Sequence, residues 1–450
     1  MITKITSAFL LFFSITTFSQ TISIDNTFSI GVGFNSGSQI TSIALNPSGD
    51  ILIGGQFWSF NGINTTSKII RINSTGVQNF SYPDCDISSA VSIIKQPDNK
   101  IIVAGSAGLN ADKLQRFNTN ASIDNSYGPY GDNGWGFNNS IGKIALQSNG
   151  ALIVQGTFTS YDSQFMTKGG FTRLNEKLID IPFRNNLNSN SVIPTNGVND
   201  FLLLSNNKIL VLTSAYPTNN LFRLNNDGTL DSSFNANVVG TFCVTEQNDG
   251  KIIASRITSG SPITSELIRL NIDGTIDNTF TAFTVQGRIN NILIYPTSNK
   301  ILLSNIYGAS SNSLIRLNSN GTLDNSFSIG SGFDNDVTKL IIQPDGKIVA
   351  VGFFTSFNGT TKRGLVRLDD STLSSNSYEI EKIKIYPNPV NNILNIENIT
   401  NSNYQIYDIL GKTVLNGISN QINVSSLEKG VYFLKVTLEE KIITQKFIKE

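Results

Sequence analysis

Between about residue 40 and residue 370 the chain alternates short apolar runs with paired polar residues, and the alternation recurs in phase. The segments "IALNPSGDILIGG", "IIKQPDNKIIVAG", "IALQSNGALIVQG", "FLLLSNNKILVLT", "VTEQNDGKIIASR", "LIYPTSNKILLSN" and "LIIQPDGKIVAVG" each place two turn residues between apolar stretches of strand length. Asp-Gly, Ser-Gly, Asn-Gly, Asp-Asn, Asn-Asn and Ser-Asn tolerate the positive φ of a tight hairpin, so each segment predicts two antiparallel strands, A and B. Downstream of each comes Arg-apolar-Asn, at Arg71, Arg116, Arg173, Arg223, Arg269 and Arg316, with Arg367-Leu368-Asp369 as the seventh. These landmarks lie roughly fifty residues apart, a period of propellers rather than helical solenoids. The Arg segment reads as strand C, and the "TLDNSF"-like segment after it as strand D. Helical periodicity is nowhere sustained.

Four strands repeated seven times around an axis make a β-propeller, which leaves only short, protected sheet edges. The seventh repeat, "RLDDSTLSSNSY" from Arg367, lacks the closing Asp-x-Ser/Thr-Phe. That motif is found at the other end, in "ISIDNTF", where Ile24, Asp25 and Phe28 keep its spacing. The expectation is that residues from about Thr21 to Phe28 supply strand D of the last repeat, pairing near Leu365 to Leu368. If "STLSSNSY" were strand D, its spacing would be one residue too long, and a one-residue slip turns every side chain to the wrong face.

The repeats resemble the delta-60 β-propeller repeat of bacterial secreted proteins, through "QPDGKIVAVGFFTSFNG" (Gln343 to Gly359), the following Arg-Leu and the Asp-x-Ser/Thr-Phe endings. The resemblance covers residues 25 to about 370, is closest in repeats one and seven, and implies a propeller but no single activity.

The two ends carry different information. The segment 1–20, "MITKITSAFLLFFSITTFSQ", has Lys4, an apolar run from Ala8 to Phe18, and small Thr17 and Ser19 where a signal peptidase reads, so it is expected to be a signal peptide. No later segment approaches a transmembrane length. After a propeller at 21–372 and a polar linker at 373–380, Lys, Glu and Ile replace Gly and Ser, and alternating strands over 381–450 predict a small immunoglobulin-like β-sandwich. This tail resembles the C-terminal sorting domain of the type IX secretion system of Bacteroidetes. The matching residues are Pro387-Asn388-Pro389, Tyr407-Asp408 with Gly411-Lys412, Gly430-Val431-Tyr432, and Lys446-Phe447-Ile448-Lys449. The resemblance implies that the type IX machinery is a partner and that the tail carries its cargo across the outer membrane. The expected location is therefore extracellular or on the outer cell surface.

Composition narrows the chemistry. Basic and acidic residues balance at 33 each, which gives no electrostatic footprint for nucleic acid. The chain has no histidine, which excludes Ser-His-Asp and Cys-His catalysis and histidine metal sites. Its two cysteines, Cys85 and Cys243, fall in non-neighbouring repeats, too far apart for an expected disulfide. Most acids occupy repeat slots as turn formers, including Asp98, Asp249 and Asp345 in hairpins and Asp124, Asp231, Asp277 and Asp324 in strand D. The recurring Arg is expected to pair with the strand D Asp. Asn225, Asp227 and Asp231 sit at calcium-like intervals, but they are too few for an EF-hand-type loop. Asp132, Asp162, Asp334 and Asp336 fall out of register without forming a convergent pair. No cofactor, metal or catalytic residue is expected.

Connectivity puts the tight A–B and C–D turns at one end of a propeller and the longer B–C loops and D–A connectors at the other. Both tryptophans, Trp58 and Trp135, belong to the second end, with Tyr130 and Tyr161 nearby. Flat aromatics beside Asn and Asp suit sugar rings, which makes these four the candidate ligand-binding residues. The sequence thus reads as an all-β chain, a seven-bladed β-propeller followed by a small sandwich, acting as a non-catalytic surface module for a polysaccharide or cell-surface protein. The alternatives are a carbohydrate-active enzyme using acids at the long-loop end, or a purely structural surface protein.

Overall fold

The computed structural model describes residues 20–46, 49–65, 67–83, 87–107, 113–127, 136–195, 197–213, 220–260, 262–307, 314–370, 385–397, 403–408, 413–438 and 441–450. The expected signal peptide, apart from Gln20, lies outside the described residues, as do Cys85, Tyr130, Asp132, Trp135, Gly411, Lys412 and the linker 373–380. The chain divides into two compact units, Met1–Ser371 and Thr372–Glu450.

In the first unit the described residues form seven antiparallel sheets of three or four strands, each with strands A, B and C of one repeat in that order and, in four of them, a fourth strand beyond C. The A strands are Gln39–Leu45, Ile87–Lys95, Ile141–Leu146, Val198–Leu203, Thr241–Glu246, Arg288–Ile294 and Val337–Ile342. Several neighbouring A strands touch one another directly, and Val337–Ile342 of the seventh repeat packs on Gln39–Leu45 of the first. They therefore surround a central axis, and the sheets radiate from it as a propeller. Strand B is apolar on both faces because it is covered on both sides; Ile51, Leu52 and Ile53 are buried, as are Ile348, Val349 and Ala350. The apolar clusters straddle neighbouring sheets. One joins Leu52 and Ile69 to Ile101 and Val103, and another joins Phe34 and Ile53 to Val349, Val351 and Leu365 across the closing seam. Each fully buried Ile, Leu or Phe contributes roughly 1.5–3 kcal/mol.

The seam closes as the displaced motif requires. Ser23–Ile24 pairs antiparallel with Leu365–Asp369, Ile24 opposite Leu368, and becomes the fourth strand of the seventh sheet. Just before it, Gln20–Thr21 pairs in parallel with Phe327–Ser328 of the sixth repeat.

The repeated Arg, Asp, Ser/Thr and Phe form one unit of packing. In the seventh sheet the Arg367 guanidinium donates through Nε to Asp25 at 2.6 Å and lies over the Phe28 ring, 4.5 Å from its centroid. Lys347 of the A–B hairpin donates to the same carboxylate at 2.7 Å, and Thr27 caps its other oxygen. The set recurs as Arg116, Asp124, Lys100 and Ser126, and as Arg223, Asp231, Lys208 and Ser233. It appears again around Asp277 and Asp324. Burial alone would push these carboxyls up, but the lysine, hydroxyl and arginine donors hold all five well below the usual carboxylate range.

The same arginines tie each sheet to the next. Nη1 of Arg173 donates to the Asn226 carbonyl, that of Arg223 to Ile272, that of Arg269 to Ser319 and that of Arg367 to Ser74. Every acceptor lies three residues beyond the next repeat's Arg. Arg316 uses the Asp370 side chain in that place, at 2.6 Å. The residue after the motif's aromatic also docks on the next C–D turn; Ser29 N–H reaches the Thr75 carbonyl at 2.9 Å. The approach leaves no room for a side chain on the turn glycine: a Cβ on Gly76 would meet the Ser29 carbonyl oxygen at 2.7 Å.

Three expectations need correction. Strand D is shorter than expected: in repeats two, four and six the "TLD" segment makes a single bridge, Ile123 to Phe117, Leu230 to Leu224 and Leu323 to Leu317. The chain turns at the Asp so that the aromatic three residues on can slide under the Arg. Repeat three contains a helix, Ile181–Asn188, where no helical pattern was expected. Asp180 both pairs with Arg173 and caps that helix by accepting from Phe183 N–H at 3.0 Å, while Phe183 supplies the ring beneath Arg173. Repeat one has no strand D Asp, and Arg71 turns to Asp50 at 3.4 Å.

The second unit has a three-stranded sheet, with Ile393–Ile396 between Ile385–Tyr386 and Gln421–Asn423. Its four-stranded sheet orders Thr413–Ile418, Asn403–Tyr407, Gly430–Leu438 and Lys441–Lys449. One core, including Leu394, Ile406, Leu434 and Phe447, draws on both sheets.

Candidate functional site

The end of the propeller from which the B–C loops emerge differs from the hairpin end. In repeats one, three and seven the long loops fold into two-stranded hairpins, Ser59–Phe60 with Ile63–Asn64, Ser160–Tyr161 with Gln164–Phe165, and Ser356–Phe357 with Thr360–Thr361. Each is clamped by the connector preceding its own sheet. Asn35 Oδ1 accepts from the backbone N–H of Trp58 and Ser59; Asn138 does the same for Thr159 and Ser160, and Asp334 for Thr355 and Ser356. Gly332 N–H donates to Asn358 Oδ1 at 2.8 Å while Asn358 N–H returns a bond to the Gly332 carbonyl. Beneath each hairpin lie three packed rings: Phe34, Phe57 and Phe60; Phe137, Phe158 and Tyr161; and Phe333, Phe354 and Phe357.

This packing separates the candidate aromatics. Trp58 stands out from its hairpin, 55% exposed, with Lys68 Nζ 5.8 Å from its ring centroid. Tyr161 is only 4% exposed and its hydroxyl donates to the Lys177 carbonyl at 2.6 Å. It occupies the place of Phe60 and Phe357, a packing position and not a solvent-facing platform. Tyr127 likewise lies beneath Arg116 at 4.0 Å as the aromatic of its repeat motif. Two of the out-of-register acids are spent on loop structure: Asp162 accepts from Gly136 N–H at 2.6 Å, and, against the upward push of burial, hydroxyl and backbone donors hold Asp334 below the usual carboxylate range. Asn225, Asp227 and Asp231 are bonded within their own turn or to Arg223 and Lys208. Among the described residues no three His, Cys, Asp or Glu side chains gather as metal ligands.

A cavity lies along the axis. Strand A carries a register shift at its second or third residue in repeats one, three, four, five and seven, between Ile40/Ser42, Ile141/Lys143, Val198/Asp200, Thr241/Cys243 and Val337/Lys339. Such a bulge re-aims the residue that follows it. The equivalent position around the ring reads Ser42, Ser92, Lys143, Asp200, Cys243, Asn291 and Lys339. The bulge residues bond across to the next sheet; Thr41 donates to the Ala90 carbonyl at 2.9 Å and Thr338 to that of Ile40 at 2.6 Å.

A cavity of about 640 Å³ is lined by Ser42, Ser92, Lys143, Asp200 and Lys339 of this ring, together with Gln155 and Thr157. Ser140, just before an A strand, and Thr157, just after a B strand, also line it, so it lies at the long-loop end of the channel. Lys143 Nζ pairs with Asp200 at 2.8 Å. Burial pushes the Cys243 thiol up to about 11, with the Asp200 charge adding to it, so the thiol stays protonated and inert at neutral pH. Lys339 is solvent-exposed within the channel; the protein around it, then the neighbouring Lys143 charge, draw its ammonium down. This ring was missed in the sequence because only the bulge offset identifies its members as equivalent.

In the tail, the motif residues gather at one seam. Asn388 Oδ1 accepts from Ile448 N–H at 2.9 Å, and its Nδ2 donates to the Lys446 carbonyl. Pro387 and Pro389 flank it, each after a cis peptide bond, and Val390 bridges in parallel to Lys449. Gly430 lies opposite Lys449 in the sheet, and Tyr432 stacks on Phe447 at 5.7 Å while its hydroxyl donates to the Glu428 carbonyl.

A model of the family described as Secretion system C-terminal sorting domain matches residues 384–450. A second, Domain of unknown function (DUF5122) beta-propeller, matches 47–78, 96–127, 204–234, 247–280, 300–327 and 343–370. The chain is a DUF5122 β-propeller with a type IX sorting tail. The unmatched repeat is the third, where the helix replaces the Asp-x-Ser/Thr-Phe ending. The sorting tail directs this propeller protein to the cell surface or the extracellular space, and no helix among the described residues is long and apolar enough to cross a membrane.

No curated protein matches the chain. Among solved structures, PorZ, a surface component of the type IX secretion system of Porphyromonas gingivalis, is 12% identical with a TM-score of 0.44. The alignment covers 93% of this chain and 60% of PorZ, so the chain spans about three-fifths of that protein's length. The extracellular domain of a putative hybrid two-component system of B. thetaiotaomicron is 12% identical with a TM-score of 0.36, covering 91% of this chain and 68% of the other. A putative 6-phosphogluconolactonase of Bacteroides fragilis is 12% identical with a TM-score of 0.40, covering 63% and 82%.

Proposed function

We propose that the propeller is a seven-bladed, non-catalytic binding module that holds a polysaccharide at its long-loop end, outside the cell. The observation that carries this reading is the contrast within each repeat. Residues at the hairpin end recur in five of the seven sheets and bond to one another, whereas the cavity ring at the other end changes its residue type around the axis. Trp58, exposed on a clamped hairpin at that end, offers an apolar plane that costs little to immobilise. Two of the four out-of-register acids, Asp162 and Asp334, are engaged in holding loops, which favours binding over catalysis. Pro387, Asn388, Pro389, Gly430, Tyr432, Lys446 and Lys449 serve in this reading as the structural core of the sorting signal. The test is affinity electrophoresis of the full chain through gels containing plant, algal and microbial polysaccharides, beside Trp58→Ala. Retardation on a polymer that Trp58→Ala weakens is the expected result. No retardation on any polymer overturns the polysaccharide reading and leaves a surface protein as the partner to seek.

A further inference from the structure

The lysines of the A–B hairpins and of the channel differ in their partners. Those of the A–B hairpins, Lys100, Lys208, Lys251, Lys300 and Lys347, each meet a buried Asp at 2.7–2.8 Å. Lys143 in the channel is neutralised by Asp200. Lys339, on Val337–Ile342, lines the cavity with no ion-pair partner among the described residues. Its flanking neighbours in the ring, Asn291 and Ser42, are uncharged and short enough to leave space before it. The ring of seven thus holds two ammonium groups and one carboxylate, leaving one positive charge inside a cavity of about 640 Å³.

Resting on the binding reading above, we propose that this channel end is a carboxylate site: Lys339 receives the carboxylate of a polyhydroxylated acid of the uronic acid type, and the Ser42 and Ser92 hydroxyls bond its hydroxyl groups. Ser92 Oγ already accepts from Ile144 N–H at 3.2 Å, which orients its own proton toward another acceptor. The cavity admits a sugar unit, and its serine, glutamine and threonine lining matches a ligand rich in hydroxyls.

The charged and titratable groups facing Lys339 are Lys143, Asp200 and Cys243; on the adjacent strand Arg288–Ile294, Arg288 is turned onto the Phe242 ring at 4.9 Å. The surrounding protein and Lys143 draw the Lys339 ammonium down in the free protein, and an incoming carboxylate draws it back up. Affinity for a carboxylate therefore falls as pH rises through the lowered value of free Lys339.

The experiment is isothermal titration calorimetry of the full chain with galacturonic acid, trigalacturonate, glucose and maltotriose, repeated across a series of pH values from neutral to alkaline. The expected result is binding of the two acids and not of the neutral sugars, with affinity for the acids falling toward alkaline pH. Lys339→Met weakens the acids about tenfold or more; Lys339→Arg, which stays charged, retains binding but loses that pH dependence. Trigalacturonate binding more tightly than the monomer marks a polymer end as the source, and equal affinities mark a free acid. Uronates that give no heat, or that bind Lys339→Met as well as the wild type, overturn the carboxylate site. If gel retardation by a neutral polymer survives that result, the binding module stands without it. If neither assay shows a ligand, both readings fall.

Discussion

The two ends of the propeller solve different problems with the same strands. At the hairpin end five of the sheets carry near-identical sets of Arg, Asp, Lys, Ser/Thr and an aromatic, and the Arg of one sheet bonds to the turn of the next. At the long-loop end, equivalent positions hold Ser, Lys, Asp, Cys and Asn, and among the described residues three repeats build clamped hairpins. Repetition marks what keeps the ring closed, since each sheet faces the same neighbour in the same geometry. Variation marks where no neighbour dictates the side chain.

Breaking the repeated end has the largest expected effect. Asp25 is 2% exposed and receives Arg367, Lys347 and Thr27, so Asp25→Ala strands two cations at the seam and costs about 3–5 kcal/mol. Urea unfolding of the full chain followed by tryptophan fluorescence measures it; a loss below about 1 kcal/mol would show that the seam is held by apolar packing alone.

The second effect is acid sensitivity. Asp25, Asp124, Asp231, Asp277 and Asp324 are all held below their unfolded values. Their contribution is therefore complete above the unfolded value of about 4 and disappears as pH falls through the lower folded values. Melting temperature should be nearly flat from about pH 7 to pH 5 and decline below about pH 4, and Asp25→Asn should make that decline shallower.

A smaller effect is expected from the loop clamp. Asn35→Ala leaves the N–H groups of Trp58 and Ser59 without their acceptor and costs about 1–2 kcal/mol. Hydrogen exchange should quicken in the hairpin at 57–65 and nowhere in repeat four; protection unchanged at both would remove Asn35 from its role. Smallest of all are Trp58→Ala and Lys339→Met, which touch no repeated contact and should change stability by less than about 0.5 kcal/mol. A larger loss at Lys339 would make it a member of the structural set and erase the distinction between the two ends.

The propeller, its period and the origin of its last strand were legible in residues alone. Hairpin pairs such as Asp345-Gly346, the spaced arginines and the stray "ISIDNTF" are local or repeated signals, and a repeat makes each one checkable against its copies. The tail was legible for the same reason of ordered short motifs. What tertiary structure decided was the environment of individual side chains. Trp58 and Tyr161 sit in equivalent loops with similar neighbours in sequence, yet one is exposed and the other fills a ring cluster, because the side of a hairpin strand is set by a clamp from a connector over twenty residues away. Lys339 and Lys347 are eight residues apart, but the bulge in strand A turns Lys339 into the channel while Lys347 meets Asp25. Local sequence determines strands and turns because their hydrogen bonds are short-range. Which side chain is left without a partner depends on contacts brought together only when the ring closes.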